Sequence, residues 1–140
     1  MDVVLACVGR IRGPFELADS HYRRLLRGRL RLEVVEARDD AALERRVPPG
    51  AAAHVVALDR RGVARSSVEW ASWLDERLLA AKDLWLCVGG AADLPPGVFA
   101  RAHERVSLGP ATLPHELARV VVLEQLFRAT KIRAGEPYHC

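Results

Sequence analysis

Three segments of this sequence place glycine beside polar residues directly after apolar stretches. They read LDRRG at 58–62, VGGAADL at 88–94 and LGPATLPH at 108–115. In parallel α/β sheets, ligands bind at the carboxyl ends of the strands, where such segments lie. Gly89 and Gly90 either let a ligand approach the backbone, since they lack a Cβ atom, or merely turn the chain. The segments match neither GxGxxG nor GxxxxGK(S/T), so backbone groups from several loops would have to hold a nucleotide-like ligand.

The stretch EPYHC at 136–140 contains two further side chains that can do chemistry. Tyr138 and His139 can donate, accept or shuttle protons near neutral pH when they are held beside a site. A histidine in such a position is also commonly solvated and without a role. The pair is therefore a candidate for proton handling, with the solvated alternative left open.

The elements that must position these residues alternate along the chain. Five segments have the apolar composition of strands: DVVLACV, LRLEVVEA, AHVVALD, LWLCVGG and RVSLG. Five helix patterns alternate with them, the first running from Pro14 to Gly28 and the third opening with a capping box of Ser66 and Glu69. RRGVAR, after the third strand, reads as a loop. This alternation predicts one α/β domain over residues 1–140, with a largely parallel sheet and helices on both faces.

The last helix pattern, in LPHELARVVVLEQLFRATKI at 113–132, is apolar on nearly every side. Thr112 or Leu113 can cap this helix, with Pro114 in its first turn, and Glu124 can pair with Arg128 one turn on. A helix that is apolar all round is buried on more than one side. Its burial partner is either the core of its own domain or another subunit.

Composition excludes several classes of protein. Half of the 140 residues are apolar, and no apolar run approaches the ~20 residues that a membrane span needs. The opening MDVVLACVGR carries an acid where a signal peptide has basic residues, so we expect a cytoplasmic protein. Cys7, Cys87 and Cys140 lack the spacing of a disulfide framework or a zinc site, so we expect no metal, and Cys7 and Cys87 read as small buried hydrophobes.

The formal charge of +3 rests almost entirely on arginine, since Lys82 and Lys131 are the only lysines. Arginine suits phosphate because its planar guanidinium donates hydrogen bonds in a fork. A GC-rich genome would produce the same bias, so both explanations stay open.

Four sequence features together resemble a known family: LD..G at 58–62, VGGAADL at 88–94, SLGPATLPHELARVVVLEQLFRA at 107–129 and PYH at 137–139. The combination is similar to the small bacterial ribosomal RNA methyltransferases of the SPOUT superfamily. It is most similar to those that methylate N3 of a pseudouridine in the large-subunit RNA. VVLACVG at 3–9 fits the family's first strand, so the resemblance covers most of the chain, and it is strongest from Leu84 to His139.

The resemblance implies an α/β fold whose C-terminal part is threaded into a trefoil knot. It also implies S-adenosylmethionine as the cofactor, and a homodimer that packs through the last helix. The cofactor contacts carried over by matching position are Leu58, Gly89, Leu108, Gly109, Pro110, Ala111, Thr112 and Leu113.

The implied reaction is methylation of N3 of a pseudouridine in 23S ribosomal RNA, on the assembled ribosome. His115, Arg128, Tyr138 and His139 fall where the family builds its substrate side, near the dimer interface. From this placement we expect His139 to handle the N3 proton and Tyr138 to orient the base. Arg128 is expected to stabilise a phosphate or a carbonyl.

The family lacks a separate RNA-binding domain, so the substrate contacts are expected from this domain and its dimer partner. Arg10, Arg12 and the arginines of HYRRLLRGRLRL at 21–32 are candidates for RNA phosphate contacts. A solvated helix face explains these arginines equally well.

Two positions depart from the family's pattern. Asp93 stands where the loop after the fourth strand usually has a third glycine, as in GGxxG. Its carboxylate either pairs with the cofactor's sulfonium or amino group or disturbs a left-handed turn. Cys140 follows YH where the family usually has a basic residue and then an acid. Three alternatives to methylation of pseudouridine in 23S ribosomal RNA stay open. They are a divergent member that binds S-adenosylmethionine or RNA without methylating, a methyltransferase of another RNA such as tRNA, and a flavodoxin-like binding module.

Overall fold

A computed structural model gives the fold of residues 2–138, so Met1, His139 and Cys140 lie outside the described range. Its strands are β1 Val3–Val8, β2 Leu32–Ala37, β3 His54–Ala64, β4 Leu84–Val88 and β5 Glu104–Ser107. Its helices are α1 Phe15–Leu26, α2 Asp40–Arg46, α3 Ser67–Leu79, α4 Pro96–Arg101 and α5 His115–Arg133. Strands and helices alternate as the sequence predicts, and Ser66 and Glu69 form the predicted capping box of α3.

The strands form one sheet in the order β2-β1-β4-β3-β5, and every neighbouring pair is parallel. Parallel strands that are covered on both faces tend to be continuously apolar. β1 shows this pattern, since all residues from Val3 to Cys7 are buried. The predicted α/β class with a parallel sheet is confirmed.

Helices cover both faces of this sheet. Leu26 of α1, Leu74 of α3 and Leu123 of α5 are fully buried in one core with the odd-numbered residues of β1. Leu43 of α2 and Val98 of α4 are buried in a second core with the even-numbered residues. Alternate side chains of a strand point to opposite faces, so the two cores lie on opposite sides of the sheet. Each such side chain contributes about 1.5–3 kcal/mol on burial, which holds the helices against the strands.

β3 is longer than the sequence predicts. RRGVAR was expected to be a loop, but β3 continues through Ala64, and this expectation is wrong. Both Leu58 and Val63 lie opposite Val106 of β5, so residues 59–62 form a bulge, which we call the β3 bulge. A Cβ atom on Gly62 would lie 2.5 Å from the carbonyl carbon and oxygen of Arg105, so only glycine lets the bulge return to β5. The charged residues of the bulge resemble a loop in the sequence. Only the pairing with β5 shows that β3 continues through them.

α5 begins one or two residues later than expected, so Pro114 precedes its first turn. Its N-cap is Pro114, and no side chain caps the helix, so the expected caps Thr112 and Leu113 are wrong. The expected pair of Glu124 and Arg128 is present at 2.7 Å. α5 packs against α1, α3 and β4, and most of its residues are buried or half-buried. Burial within its own chain therefore accounts for most of the apolar pattern, while Leu117 and Val121 stay half-buried. No helix among residues 2–138 is long and apolar enough to cross a bilayer.

The two cysteines of the described range lie in the core, as expected. Burial raises the pKa of Cys7 and of Cys87 to about 12. Both thiols therefore stay protonated at neutral pH, and neither is an activated nucleophile.

Candidate active site

A cleft of about 440 Å³ opens at the carboxyl ends of the central strands. It lies between the β3 bulge, the loop after β4 and the loop from β5 to α5, so the three glycine-containing segments do meet. Of the residues expected to contact a cofactor, Leu58, Gly89, Leu108, Gly109, Ala111, Thr112 and Leu113 line it. Pro110 belongs to the same loop but lies outside the lining.

Glycine is needed in two of the loops that line the cleft, the loop after β4 and the loop from β5 to α5, for different reasons. A Cβ atom on Gly89 would lie 3.0 Å from the carbonyl oxygen of Ala92, and one on Gly90 would lie 3.2 Å from Cγ1 of Val8. Both glycines therefore serve close packing, since neither has a positive φ. Gly109 has a φ of +124°, a conformation that other residues adopt only with strain.

Ser107 holds the loop that carries Gly109. Its hydroxyl accepts a hydrogen bond from the Gly109 amide and donates one to the Gly109 carbonyl oxygen, each at 3.0 Å. The side chain is buried at the end of β5, so the loop is anchored from the core side. Ser107 was not among the residues expected at the site, although a hydroxyl at the end of an apolar strand is a visible signal in the sequence.

The β3 bulge closes the rim of the cleft. Arg60 donates a hydrogen bond from Nη1 to Oγ1 of Thr112 at 2.9 Å, which joins the bulge to the β5–α5 loop. Asp59 accepts hydrogen bonds from Arg61 and Arg105 at 3.2 and 3.3 Å. Burial acts to raise the pKa of Asp59, but the hydrogen bonds and charge of Arg61, with the charge of Arg105, outweigh it and lower the pKa. Asp59 is therefore an anion at the rim.

Asp93, the departure from the family's GGxxG, lines the cleft with an exposed side chain. Its Oδ2 lies 3.8 Å from Nη2 of Arg61. Within residues 2–138 the only non-glycine residue with a positive φ is Ala81, so Asp93 disturbs no left-handed turn. The aspartate is thus accommodated and adds negative charge to the mouth of the cleft.

His115 is the member of the expected catalytic set that lies in the cleft. It occupies the first turn of α5, its side chain is 38% exposed, and Nε2 lies 3.9 Å from Oε1 of Glu116. An accessible imidazole beside a ligand-sized cleft is placed to act as a general acid or base.

Tyr138 and Arg128 form a second cluster at the other end of α5. The Tyr138 ring packs edge-on against Phe127 at 4.9 Å, and the Arg128 guanidinium lies 4.7 Å from the Tyr138 ring centre. Tyr138 donates a hydrogen bond to Oε1 of Glu124 at 3.4 Å. Burial, then the charge of Glu124, raises the pKa of Tyr138, so its hydroxyl stays protonated. His139, expected to handle the N3 proton, lies outside the described residues.

The two parts of the expected catalytic set are far apart within one chain. Thirteen positions of α5 separate His115 from Arg128, which at the helical rise corresponds to about 20 Å. The structure therefore brings Arg128 and Tyr138 together and brings His115 to the cleft, but it does not join these two groups.

The described part of the chain offers no metal site. Among residues 2–138, no group of three or more histidine, cysteine, aspartate or glutamate side chains is placed to hold a metal ion.

Phe99 of α4 also lines the cleft without having been expected there, and Arg105 lies 4.4 Å above its ring. A single apolar residue in a short helix carried no sequence signal for this position.

An all-parallel sheet with a ligand-sized cleft at its carboxyl ends defines an α/β protein with a candidate small-molecule site. The family model described as "Predicted SPOUT methyltransferase" matches residues 1–139, and the chain belongs to that family. The family resemblance drawn from the sequence is therefore confirmed.

Known relatives and structures agree with this assignment. The protein named Ribosomal RNA large subunit methyltransferase H from Gemmatimonas aurantiaca is 47% identical over 110 residues, which cover 79% of this chain and 70% of the relative. The protein of the same name from Gloeobacter violaceus is 40% identical, and the match covers 99% of each chain. A probable methylase family protein from Haemophilus influenzae has a TM-score of 0.59 and 11% identity, covering 99% of this chain and 70% of its own. That last likeness shows the fold alone.

Proposed function

We propose that this protein methylates N3 of a pseudouridine in the large-subunit ribosomal RNA, with S-adenosylmethionine as the methyl donor. The observation that carries the proposal is the convergence of three separate segments on one cleft, in a chain that belongs to a methyltransferase family. Relatives that match the chain over most of its length bear the name Ribosomal RNA large subunit methyltransferase H, which supports the choice of RNA.

The cleft fits the proposed cofactor in size and lining. A volume of about 440 Å³ lies within the range of small-molecule sites. Leu58, Leu108 and Leu113 offer apolar surface for an adenine ring, and Gly89 and Gly109 leave backbone groups accessible for hydrogen bonds to polar edges. When bound, S-adenosylmethionine supplies a methyl group that its sulfonium already activates.

The protein's own part of the reaction is alignment and proton handling. Holding two reacting groups in register lowers a barrier by roughly 7–11 kcal/mol in favourable cases. The imino group at N3 is a weak acid near neutral pH, so a neighbouring base must help to remove its proton. We assign proton handling to His139 first and to His115 second, orientation of the base to Tyr138, and stabilisation of a phosphate or carbonyl to Arg128.

A homodimer completes the proposed site. His115 and Arg128 lie about 20 Å apart along α5, so one chain does not place both beside the same base. A second copy packed through α5 would bring its Tyr138 and Arg128 to the partner's cleft. Leu117 and Val121 of α5 are only half-buried and leave apolar surface for such packing. The proposed substrate is the assembled ribosome in the cytoplasm.

We further propose that the C-terminal segment is threaded as a trefoil knot. β5 lies at the sheet edge beside β3, and the chain then returns through the cleft loop so that α5 packs against α1 and α3. This path is the part of the chain in which the threading would occur.

Incubation with labelled S-adenosylmethionine and ribosomes from cells without the endogenous pseudouridine methyltransferase tests the proposal. We expect label in the large-subunit RNA and a methylpseudouridine in its nucleoside mass spectrum. Incorporation of label into tRNA instead would show that tRNA, and not ribosomal RNA, is the substrate. Tight cofactor binding without methylation of any particle would show a divergent member that binds but does not methylate.

A further inference from the structure

The loop from β1 to α1 carries two exposed arginines. Arg10 and Arg12 lie in residues 9–14, which we call the β1–α1 loop. Within the described range, neither guanidinium takes part in an ion pair or a side-chain hydrogen bond, whereas many other arginines are paired with acids. Two unpaired arginines two positions apart in the chain give this loop positive charge that is open to solvent.

This loop stands directly beside the cleft. Arg10 and Ile11 line a narrow crevice together with Gly89 and His115. Gly89 and His115 also line the main cleft, so the β1–α1 loop lies on the far side of these two residues. A ligand that enters the cleft past His115 therefore approaches Arg10, which lines the adjoining crevice.

Two acids hold the loop through its backbone. Oε2 of Glu36, on β2, accepts a hydrogen bond from the amide of Ile11 at 3.0 Å. Oε2 of Glu116, on α5, accepts one from the amide of Arg12 at 3.3 Å. The carboxylates therefore bind the main chain and leave both guanidinium groups available, and a fixed backbone reduces the ordering cost of binding a ligand.

Arg119 sets the position of one of these acids. Its Nη1 donates to Oε2 of Glu36 at 2.6 Å, the same oxygen that receives the Ile11 amide. Its Nε and Nη2 donate to the two oxygens of Asp19, on α1, at 2.7 and 3.2 Å. Arg119 and Asp19 are almost completely buried. The guanidinium thus ties α1, β2 and α5 together at the point where the loop is attached.

We propose that Arg10 and Arg12 bind a backbone phosphate of the RNA substrate beside the methyl-donor cleft, and that Glu36, held in place by Arg119, is a positioning residue for them. The chemistry is that of the arginine fork, which binds a phosphate with parallel hydrogen bonds. Phosphate contacts position a nucleic acid without reading its sequence. The inference rests on the proposed function, because it takes RNA as the substrate.

The first experiment compares two double variants of the full-length protein. R10A/R12A removes the loop arginines, and R45A/R46A removes two exposed arginines of α2, which covers the other face of the sheet from α1 and α5. Both variants lose the same charge. For R10A/R12A we expect KM for ribosomes to rise about tenfold or more, with kcat and the affinity for S-adenosylhomocysteine unchanged.

Salt dependence separates a phosphate contact from general charge. Each phosphate that the protein neutralises releases counterions, so the slope of log kcat/KM against log salt is expected to become shallower by nearly one for each phosphate that a variant no longer binds. R10A/R12A should show this change and R45A/R46A should not. If the two variants behave equally, the inference about the loop arginines is overturned. The proposed function still stands in that case, provided that the wild type methylates ribosomes. A wild-type protein that methylates no ribosomal RNA refutes the proposed function itself.

The second experiment tests positioning without removing the buried arginine. Glu36→Ala releases the Ile11 amide but leaves the Arg119–Asp19 pair in place. We expect KM for ribosomes to rise with kcat unchanged, Glu36→Gln to restore most of the affinity, and R10A/R12A/E36A to be no worse than R10A/R12A. A further rise of KM in the triple variant, or a lower affinity for S-adenosylhomocysteine in Glu36→Ala, overturns the positioning role.

Discussion

Arg60 of the β3 bulge donates a hydrogen bond to Thr112 of the β5–α5 loop at 2.9 Å, across the mouth of the cleft. The two residues are 52 positions apart in the chain. Their contact joins two of the loops that surround the proposed cofactor site.

Thr112→Val should weaken binding at this site. The variant keeps the shape of the side chain but removes the hydroxyl that Arg60 contacts, so the bulge is no longer fastened to the opposite loop. We expect the Kd for S-adenosylhomocysteine, measured by calorimetry, to rise about three- to tenfold. Thr112→Ser, which keeps the hydroxyl, should bind like the wild type. Equal binding by Val and Ser variants would show that the contact has no part in holding the ligand.

Gly89→Ala should disturb the cleft more than it disturbs the fold. The new Cβ atom would lie 3.0 Å from the carbonyl oxygen of Ala92 and 3.2 Å from the amide nitrogen of Leu94, so the loop after β4 must shift. We expect a loss of cofactor affinity of about tenfold, since several backbone contacts move together.

Gly50→Ala is the matched control for Gly89→Ala. A Cβ atom at Gly50 would lie 3.2 Å from Cε1 of His103, a similar crowding near the amino ends of the strands. Thermal unfolding of both variants and calorimetry with S-adenosylhomocysteine separate the two effects. A ligand affinity reduced equally in both variants would contradict the local role of Gly89.

Asp93→Gly restores the family's glycine and should change little. Asp93 is exposed, its backbone is in an ordinary conformation, and its distance of 3.8 Å from Arg61 makes a loose ion pair. We expect the methylation rate to stay within about twofold of the wild type, because exposed pairs contribute little. A rise of an order of magnitude in activity would mean that the aspartate impairs the site.

Arg119→Met should destabilise the fold strongly. The substitution leaves Asp19 buried without its partner, and breaking a buried ion pair costs about 3–5 kcal/mol. Urea unfolding measures the decrease in stability. Asp19→Leu combined with Arg119→Met should recover part of it, since an apolar pair leaves no uncompensated charge. A double variant that is less stable than Arg119→Met alone would argue against this account.

Stability should fall as the pH drops below 6.5, because of His54. Burial lowers the pKa of His54 below its ordinary 6.5, although its Nε2 lies 2.6 Å from Glu104, and the charge of Arg77 lowers it further. The unfolded chain then binds this proton more readily than the folded chain, so the free energy of unfolding decreases with falling pH.

His54→Gln should flatten this dependence, as measured by urea unfolding at a series of pH values. His21→Gln, at an exposed position of α1, is the control and should keep the wild-type slope. The pKa of Glu104 is also lowered, with burial opposing and His54 and Trp73 favouring its charged form. The contribution of Glu104 to the free energy of unfolding is lost only as the pH falls below 4.5. An unchanged slope in His54→Gln would assign the effect to other groups.

Local patterns in the chain were sufficient for the fold class and for the place of the cleft. Continuous apolar runs such as Val3–Val8 are typical of parallel strands, and Ser66 with Glu69 marks a helix start because the capping contacts are made within four residues. The glycine-containing segments indicated the ligand side, since parallel strands all end at the same edge of the sheet.

Contacts between distant segments were decided only by the tertiary structure. The path of β3 beyond Leu58 depends on pairing with β5, so its charged residues read as a loop until the register is known. Arg119 reads as one polar residue in an apolar helix, yet it reaches Asp19, 100 positions earlier, in the core. Such contacts follow from strand order and helix packing, which join residues far apart in the chain and leave no periodic trace in the local sequence.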